Sequence, residues 1–265
     1  MKSGELLHPG DSTAFGNTVE YRLEKVERVL PIKGRWLDCG CADGDYTVEL
    51  IRRGAHGAVG TDVSATRVDG ARTRWADMTA VSFIVAAAEE MPFADESFDG
   101  VLLNEVLEHV RDERQTLREL HRLLAPGGYL FVFSPNRWFP FEGHGAVIGR
   151  LRLPFPVPLL PWLPVRVTEP FLQARNWWPR QLRKLIASVG FEVTVVDFAL
   201  PLFGRYRWLP TPLLRLYEQR FTSLDRNRWL RRFGVSTMIA ARKRDSALGD
   251  GPGRRHRSRG FHDAR

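Results

Sequence analysis

The first half of this 265-residue chain alternates short apolar runs with amphipathic stretches, and that alternation constrains its fold more than any other feature. Residues 35–39 (RWLDC) read as a strand running into a glycine turn. Residues 43–53 can follow as a helix, with Tyr46, Leu50 and Ile51 on one face. A second strand is expected at 58–63, then a helix N-capped by Ser64 and reaching about residue 78. Strands at 81–85 and 100–104 come next. The helix at 111–124 carries Leu117, Leu120, Leu123 and Leu124 as its apolar stripe, and Pro126-Gly127-Gly128 stops it before a fifth strand at 129–133. Repeated β-α-β units with continuously apolar strands predict an α/β fold with a mostly parallel, doubly wound sheet covered on both faces. Such sheets bind ligands beyond the carboxyl ends of their strands.

The chemistry-bearing residues fall at those ends. The run Leu37-Asp38-Cys39-Gly40-Cys41-Ala42-Asp43-Gly44 joins the first strand to a helix. Glycine lets the backbone of such a turn approach a ligand closely, and the helix start offers amide N–H groups. The spacing is not G-x-G-x-x-G: Ala42 stands between Gly40 and Gly44, and Asp45 occupies the third-glycine place. Asp38, Asp43 and Asp45 would repel a phosphate and suit a cationic ligand. Asp62 ends the second strand, where a carboxylate can accept hydrogen bonds from both hydroxyls of a ribose. Cys39 and Cys41 fall short of a four-ligand zinc site and read as small buried residues packing the turn; no metal is expected.

These motifs carry a resemblance. DCGCADG, VGTDVS, AAAEEMPFADESFDGVLLNEVLEHV and LRELHRLLAPGGYLFVFSPN, in this order over about residues 33–136, closely resemble class I S-adenosylmethionine-dependent methyltransferases. The nearest subgroup includes the ubiquinone and menaquinone methyltransferases. The resemblance implies a seven-stranded Rossmann-like sheet and S-adenosyl-L-methionine as cofactor. It implies that Asp38 and the turn from Gly40 through Ala42 to Gly44 hold the methionine part. It places Asp62 on the ribose, Val63 against the adenine, Ala88 and Glu89 near the adenine edge, and Asn104 toward the methionine end and the substrate opening. One position departs from the pattern: Ala87 stands where the family commonly has an Asp that contacts the adenine amino group.

Glu105, Glu108 and His109 follow the fourth strand. An imidazole there could act as general base, because its pKa lies near the working pH. Glu105 and His109 are the catalytic candidates, although methyl transfer gains mostly from proximity and alignment. A helix around residues 19–30, with Tyr21, precedes the fold and reads as a packing helix.

The second half changes character. Residues 135–175 are rich in Pro, Trp and Phe, and 153–165 (LPFPVPLLPWLPV) is an uncharged run whose five prolines deny it a continuous helix. A helix at 177–189 and a strand at 191–200 resume the core, and a last strand is expected at 236–241. The organisation predicted is an N-terminal helical segment (1–32), a cofactor-binding core (33–134), a substrate or lid insert (135–175), completion of the core (176–241) with a basic aromatic insert at 201–233, and a disordered basic tail (242–265).

The formal charge is +8, which would ordinarily suggest nucleic acid. Residues 1–199, however, hold 23 basic and 26 acidic residues, so the basicity lies wholly in the last quarter of the chain. In 201–233, Phe203, Tyr206, Trp208, Leu213, Leu214, Leu216, Tyr217 and Phe221 are interleaved with Arg205, Arg207, Arg215 and Arg220. That mixture suits either a lid packed onto the core or contact with an anionic membrane surface, and RNA less than both. No apolar run reaches the roughly 18 residues of a spanning helix, and the N-terminus shows no secretory h-region. With two cysteines, a disulfide scaffold is ruled out. The expectation is a reduced, cytoplasmic protein, with peripheral contact at the inner face of a membrane as one reading of 201–233 and lid packing as the other. Its expected activity is methyl transfer to a small or lipid-linked hydrophobic acceptor, at oxygen before carbon. The rival is a non-catalytic relative that binds the cofactor as a regulatory or assembly partner.

Overall fold

The structure, a computed structural model, describes residues 19–142, 146–148, 151–153, 157–164, 175–201 and 211–244. In chain order, the core begins with helix α1 (Val19–Glu27), strand β1 (Arg35–Cys39), α2 (Asp45–Arg52), β2 (Gly57–Asp62), α3 (Ala65–Arg74) and β3 (Val81–Val85). It continues with β4 (Phe98–Asn104), α4 (Glu113–Leu123) and β5 (Leu124–Pro135). Four short strands follow: β6 (Phe141–Glu142), β7 (Ala146–Ile148), β8 (Leu151–Leu153) and β9 (Val157–Pro158). The chain then forms α5 (Pro179–Ala187), β10 (Phe191–Ala199), α6 (Thr211–Arg226) and β11 (Ser236–Lys243). Helix starts are set locally. Ser64 accepts from the Arg67 N–H to cap α3, and Asp112 accepts from the N–H groups of Arg114 and Gln115 to cap α4.

Seven strands form one sheet in the order β10-β11-β5-β4-β1-β2-β3. β1 runs parallel to β2 and β4, β2 to β3, and β4 to β5, while β11 is antiparallel to β5 and β10. This is the expected seven-stranded, mostly parallel sheet. Alternate strand residues serve opposite faces. On one face, Leu117, Leu120 and Leu123 of α4 and Leu182 and Ile186 of α5 cover Leu37, Leu103 and Val132. On the other, Leu23 and Val26 of α1 and Tyr46 and Leu50 of α2 cover Trp36, Leu102, Phe131 and Phe133. Trp36 lies flat beside Phe131, their centroids 5.8 Å apart, and its ring sits where a Cβ on Gly100 would be, at 2.6 Å. Only glycine allows that crossing.

Chain direction across the sheet reverses between β1 and β4: the chain winds outward from β1 through β2 to β3, then returns to place β4 on the other side of β1. The carboxyl ends of β1 and β4 therefore flank the crevice where ligands of doubly wound sheets bind.

Several expectations are corrected by packing. β5 runs from Leu124 rather than from 129, because its first residues still pair with β4 at Phe98. Arg242 and Lys243 belong to β11, not to a disordered tail; Lys243 is buried, donating to the Leu124 carbonyl at 2.7 Å and pairing with Glu96. Residues 245–265 of the expected tail, residues 1–18, and Phe203, Arg205, Tyr206, Arg207 and Trp208 of the basic insert lie outside the described residues. Within 135–175, β6 pairs with β9 and β7 with β8, both antiparallel, and Leu160–Trp162 forms a short 3-10 turn.

One buried charge network ties α6 to the core. Lys25, 1% exposed, donates to Asp225 at 3.0 Å and to Asp197 at 3.2 Å. Tyr21 Oη donates to Asp225 at 2.6 Å, and Arg28 reaches its other oxygen at 3.3 Å. Burial alone would raise the Asp225 pKa, but these donors outweigh it and hold the carboxyl below its ordinary value. Sequence periodicity showed α1 as a packing helix; it did not show that Tyr21 and Lys25 would meet a residue 200 positions away.

Candidate functional site

The turn after β1 is built from left-handed backbone. Gly40, Ala42 and Gly44 have φ of 80°, 47° and 83°. Glycine adopts these angles freely, whereas Ala42 does so at a cost that surrounding contacts must cover. The N–H groups of Gly40 and Cys41 both donate to the Thr61 carbonyl, at 2.7 and 2.8 Å. The N–H of Ala42 donates to Asp62 Oδ2 at 3.1 Å. The turn is thus fastened to the end of β2. A Cβ on Gly40 would stand 2.1 Å from Val106 Cγ2, so the residues after β4 close down on this glycine.

Asp62 is half-buried and held from two sides: Oδ2 accepts from Ala42 and Oδ1 accepts from the Ser64 N–H at 2.9 Å. A carboxylate oxygen has a second lone pair, so each oxygen keeps capacity for one more donor. A vicinal diol matches that spare pair. Val63, next along the chain, is 71% exposed and offers an apolar face beside it.

Asp38 lies beneath the turn, 1% exposed. Thr47 Oγ1 of α2 donates to its Oδ2 at 2.6 Å. Burial, with smaller contributions from Asp62 and Asp45, pushes the carboxyl from 3.8 to about 7, against the Thr47 hydrogen bonds. Burial also pushes the Cys39 thiol up to about 12 and raises that of Cys41 further, so both are packed, protonated thiols. Among the described residues no three His, Cys, Asp or Glu side chains cluster as metal ligands do.

Ala88 is buried, and Glu89 accepts from the Arg111 N–H at 2.8 Å. Glu89 therefore braces the segment that leads into α4.

At the end of β4 the structure adds a residue that sequence reasoning missed. Arg22 of α1, 6% exposed, donates through Nη1 to Asn104 Oδ1, and through Nη2 to Glu105 Oε1 at 2.8 Å and Ser236 Oγ at 3.0 Å. Ser236 Oγ also donates to Glu105 Oε1. Glu105 takes a left-handed φ of 54°, and its N–H donates to the Phe133 carbonyl at 2.8 Å. Asn104 and Glu105 are thus clamped from α1 and β11. Nothing in the spacing of an α1 arginine announces a partner 82 residues away.

Glu108 is buried, with Oε2 accepting from Ser134 Oγ at 3.2 Å. Burial first, then the neighbouring Glu105 carboxylate, raises its pKa well above 4.5. His109 Nε2 stands 4.0 Å from Glu108 Oε1, on a side chain 21% exposed. Of the predicted residues, the structure therefore brings Asp38, Gly40, Ala42, Gly44, Asp62 and Val63 together at the β1–β2 ends. Asn104, Glu105 and His109 collect around the β4 end, across the crevice, while Ala88 and Glu89 follow β3.

Residues 37–132 match the family described as "Methyltransferase domain". The chain is 33% identical over 169 residues to a ubiquinone biosynthesis O-methyltransferase of Mesorhizobium japonicum, covering 63% of each protein. It is 36% identical over 120 residues to a demethylmenaquinone methyltransferase of Clavibacter sepedonicus, covering 45% of this chain and 49% of that one. The chain thus spans between about half and two thirds of the curated relatives it matches. A crystal structure of an S-adenosylmethionine-dependent methyltransferase from Mesorhizobium loti superposes with a TM-score of 0.58 at 18% identity, covering 85% of this chain and 98% of that one.

Proposed function

We propose, from the match of residues 37–132 to the methyltransferase domain family, that this chain is an S-adenosylmethionine-dependent methyltransferase acting on a small or lipid-linked hydrophobic acceptor, at oxygen before carbon. The observation that carries the cofactor half is Asp62. Its carboxylate is pre-oriented by two backbone N–H groups at the switch crevice, with an apolar residue beside it. The residues present fit a cofactor with a ribose diol, a flat ring and a cationic end. Asp62 would take the diol, Val63 the ring, and the Asp38–Gly40–Ala42–Gly44 turn the methionine end. S-adenosylmethionine, when bound, supplies an electrophilic methyl group on a sulfonium.

The chain's own residues do the rest. Asn104, oriented by Arg22, faces the methionine end. The ring edge is met by the backbone around Ala88 and Glu89, because Ala87 has no side-chain acceptor. His109 would take the acceptor's hydroxyl proton at its imidazole. Glu105, already engaged by Arg22 and Ser236, acts as a positioning residue rather than as a free base. The 135–175 insert, reached directly from β5, closes over the acceptor. The named relatives, a ubiquinone biosynthesis O-methyltransferase and a demethylmenaquinone methyltransferase, support a quinone-type acceptor. A lipid-linked acceptor is met at a membrane surface, and contact through 201–233 belongs to this reading: α6 exposes Leu213 and Leu216 beside Arg215 and Arg220. No helix among the described residues is long and apolar enough to cross a membrane.

Calorimetric titration with S-adenosylmethionine tests the carrying observation. Asp62→Ala loses two charge-assisted hydrogen bonds, so its affinity should fall at least about tenfold. Equal affinity in parent and variant would remove the ribose role. Transfer of a labelled methyl group to hydroxylated quinol-type acceptors, against simple sugars, then tests the acceptor class.

A further inference from the structure

The two inserts leave separately from the sheet, yet their described parts meet at one place. Asn136, buried just after β5, donates through Nδ2 to the carbonyls of Arg232 and Gly234 at 2.8 and 2.7 Å, and through its N–H to Val235 at 3.0 Å. Its Oδ1 accepts from the Trp138 N–H at 3.1 Å. The Trp138 ring then meets Phe233 edge-on, with centroids 6.0 Å apart. Arg137 donates to the Leu163 carbonyl, and Trp162 Nε1 to the Trp138 carbonyl at 3.4 Å. One buried asparagine and its neighbours therefore fasten the 3-10 turn at Leu160–Trp162 beside the 3-10 turn at Leu230–Phe233.

What this junction shows to solvent is unusual for a soluble surface. Trp138, Trp162 and Leu163 are 44%, 47% and 45% exposed; Trp229, Leu230 and Phe233 are 73%, 48% and 46% exposed. Scattered exposed apolar residues are ordinary, but six on two turns joined through Asn136, Trp138 and Phe233 mark a binding surface. The charge along the second turn is of one sign. Residues 226–234 hold four arginines and no carboxylate. Arg231 is spent on Asp197 at 2.8 Å, while Arg226, Arg228 and Arg232 are exposed, Arg232 lying over the Trp229 ring at 4.4 Å.

We infer that these two turns together form one face that docks onto an anionic lipid bilayer, with the tryptophans and leucines in the headgroup–acyl boundary and Arg226, Arg228 and Arg232 on lipid phosphates. The inference deepens the membrane contact proposed for 201–233 and rests on it: the face is shared with the first insert, immediately beyond the end of β5. Trp at the interface and Arg against anionic headgroups are the chemistry such a surface demands. A second copy of this chain answers it poorly. A two-fold contact sets the patch against itself, so arginine would meet arginine with no carboxylate in 226–234 to pair it.

Co-sedimentation of the full chain with vesicles tests this, using mixed phosphatidylglycerol–phosphatidylcholine against phosphatidylcholine alone, at low salt and at about 0.5 M salt. The expected result is binding to the anionic vesicles that weakens with salt. Trp162→Ser with Leu163→Ser, and separately Trp229→Ser with Leu230→Ser, should each lower partitioning by roughly tenfold or more. Arg228→Glu with Arg232→Glu should lower it by a similar factor. No binding by the parent overturns both the joint face and the contact through 201–233. Loss with the second pair but not the first overturns the joint face alone. Salt-insensitive binding, or a concentration-dependent dimer abolished by the same pairs, overturns the bilayer as partner. Affinity for S-adenosylmethionine, set at β2 three strands from β5, should stay at the parental value in all variants, so failure of this face is read apart from failure of the methyltransferase reading.

Discussion

Replacing Asp38 with Asn removes a charge from a place where the fold disfavours it. The folded state keeps the Asp38 proton up to about pH 7, whereas the ordinary carboxyl releases it near 3.8. The folded state therefore binds more protons between these values, and stability must fall as pH rises through that window. A displacement of that size corresponds to about 4 kcal/mol once the group is fully ionised in both states. Asn keeps the shape but not the charge. Thr47 can rotate its hydroxyl to accept from the new amide, exchanging one hydrogen bond for a weaker one at about 1 kcal/mol. Relaxation of the folded interior around the ionised carboxylate relieves part of the penalty in the parent. A net gain of about 1–2 kcal/mol above pH 7 is expected without cofactor, or roughly 2–8 °C in Tm for a domain of this size. The gain should shrink toward zero, or reverse, at pH 5, where the parent's Asp38 is neutral. Urea or thermal unfolding of both proteins at pH 5 and pH 8 reads it. The same change should weaken S-adenosylmethionine binding, because the negative charge beneath the turn is what a cationic end would meet. A variant destabilised equally at both pH values would refute the reasoning, since its cost would then be shape rather than charge.

The other side chains give sharper separations of role. His109→Ala should lower kcat by about 100-fold or more if the imidazole takes the acceptor proton, with S-adenosylmethionine affinity intact; unchanged turnover at saturating acceptor would remove it from the mechanism. Glu105→Gln should instead leave the pH profile of kcat in place while raising KM, because it acts through the Arg22 clamp. Asp225→Asn removes one of two carboxylates from buried Lys25 and should cost about 3 kcal/mol at pH 7. Since the folded Asp225 pKa is depressed, its contribution is present above the unfolded pKa and is lost as pH falls through the folded one. The parent–variant gap, followed by denaturant melts, should narrow as pH falls below the ordinary carboxyl value.

The core was legible because its signals are local. Alternating apolar runs, the capping Ser64 and Asp112, and the prolines of 153–165 each act within a few residues, and the observed elements lie within a few positions of those expected. The turn at Gly40–Gly44 and Asp62 were legible for the same reason, as sequence neighbours of strand ends. Other features came from contacts the chain makes far from itself. Arg22 on Asn104 and Glu105, Lys25 on Asp225, and Lys243 drawn into β11 all join residues 82 or more positions apart. A polar side chain shows no preference for such a partner until folding removes water from both.

The sequence by itself therefore determined the parallel sheet, its switch crevice and the acidic turn beside it, because periodicity and glycine act on neighbouring residues. Tertiary structure alone decided how that crevice is furnished. It clamped Glu105 between Arg22 and Ser236, buried Asp38 deeply enough to shift its titration to about 7, and used Asn136 to join the two inserts. Each depends on desolvation and on meetings across the chain, which only a folded interior can impose.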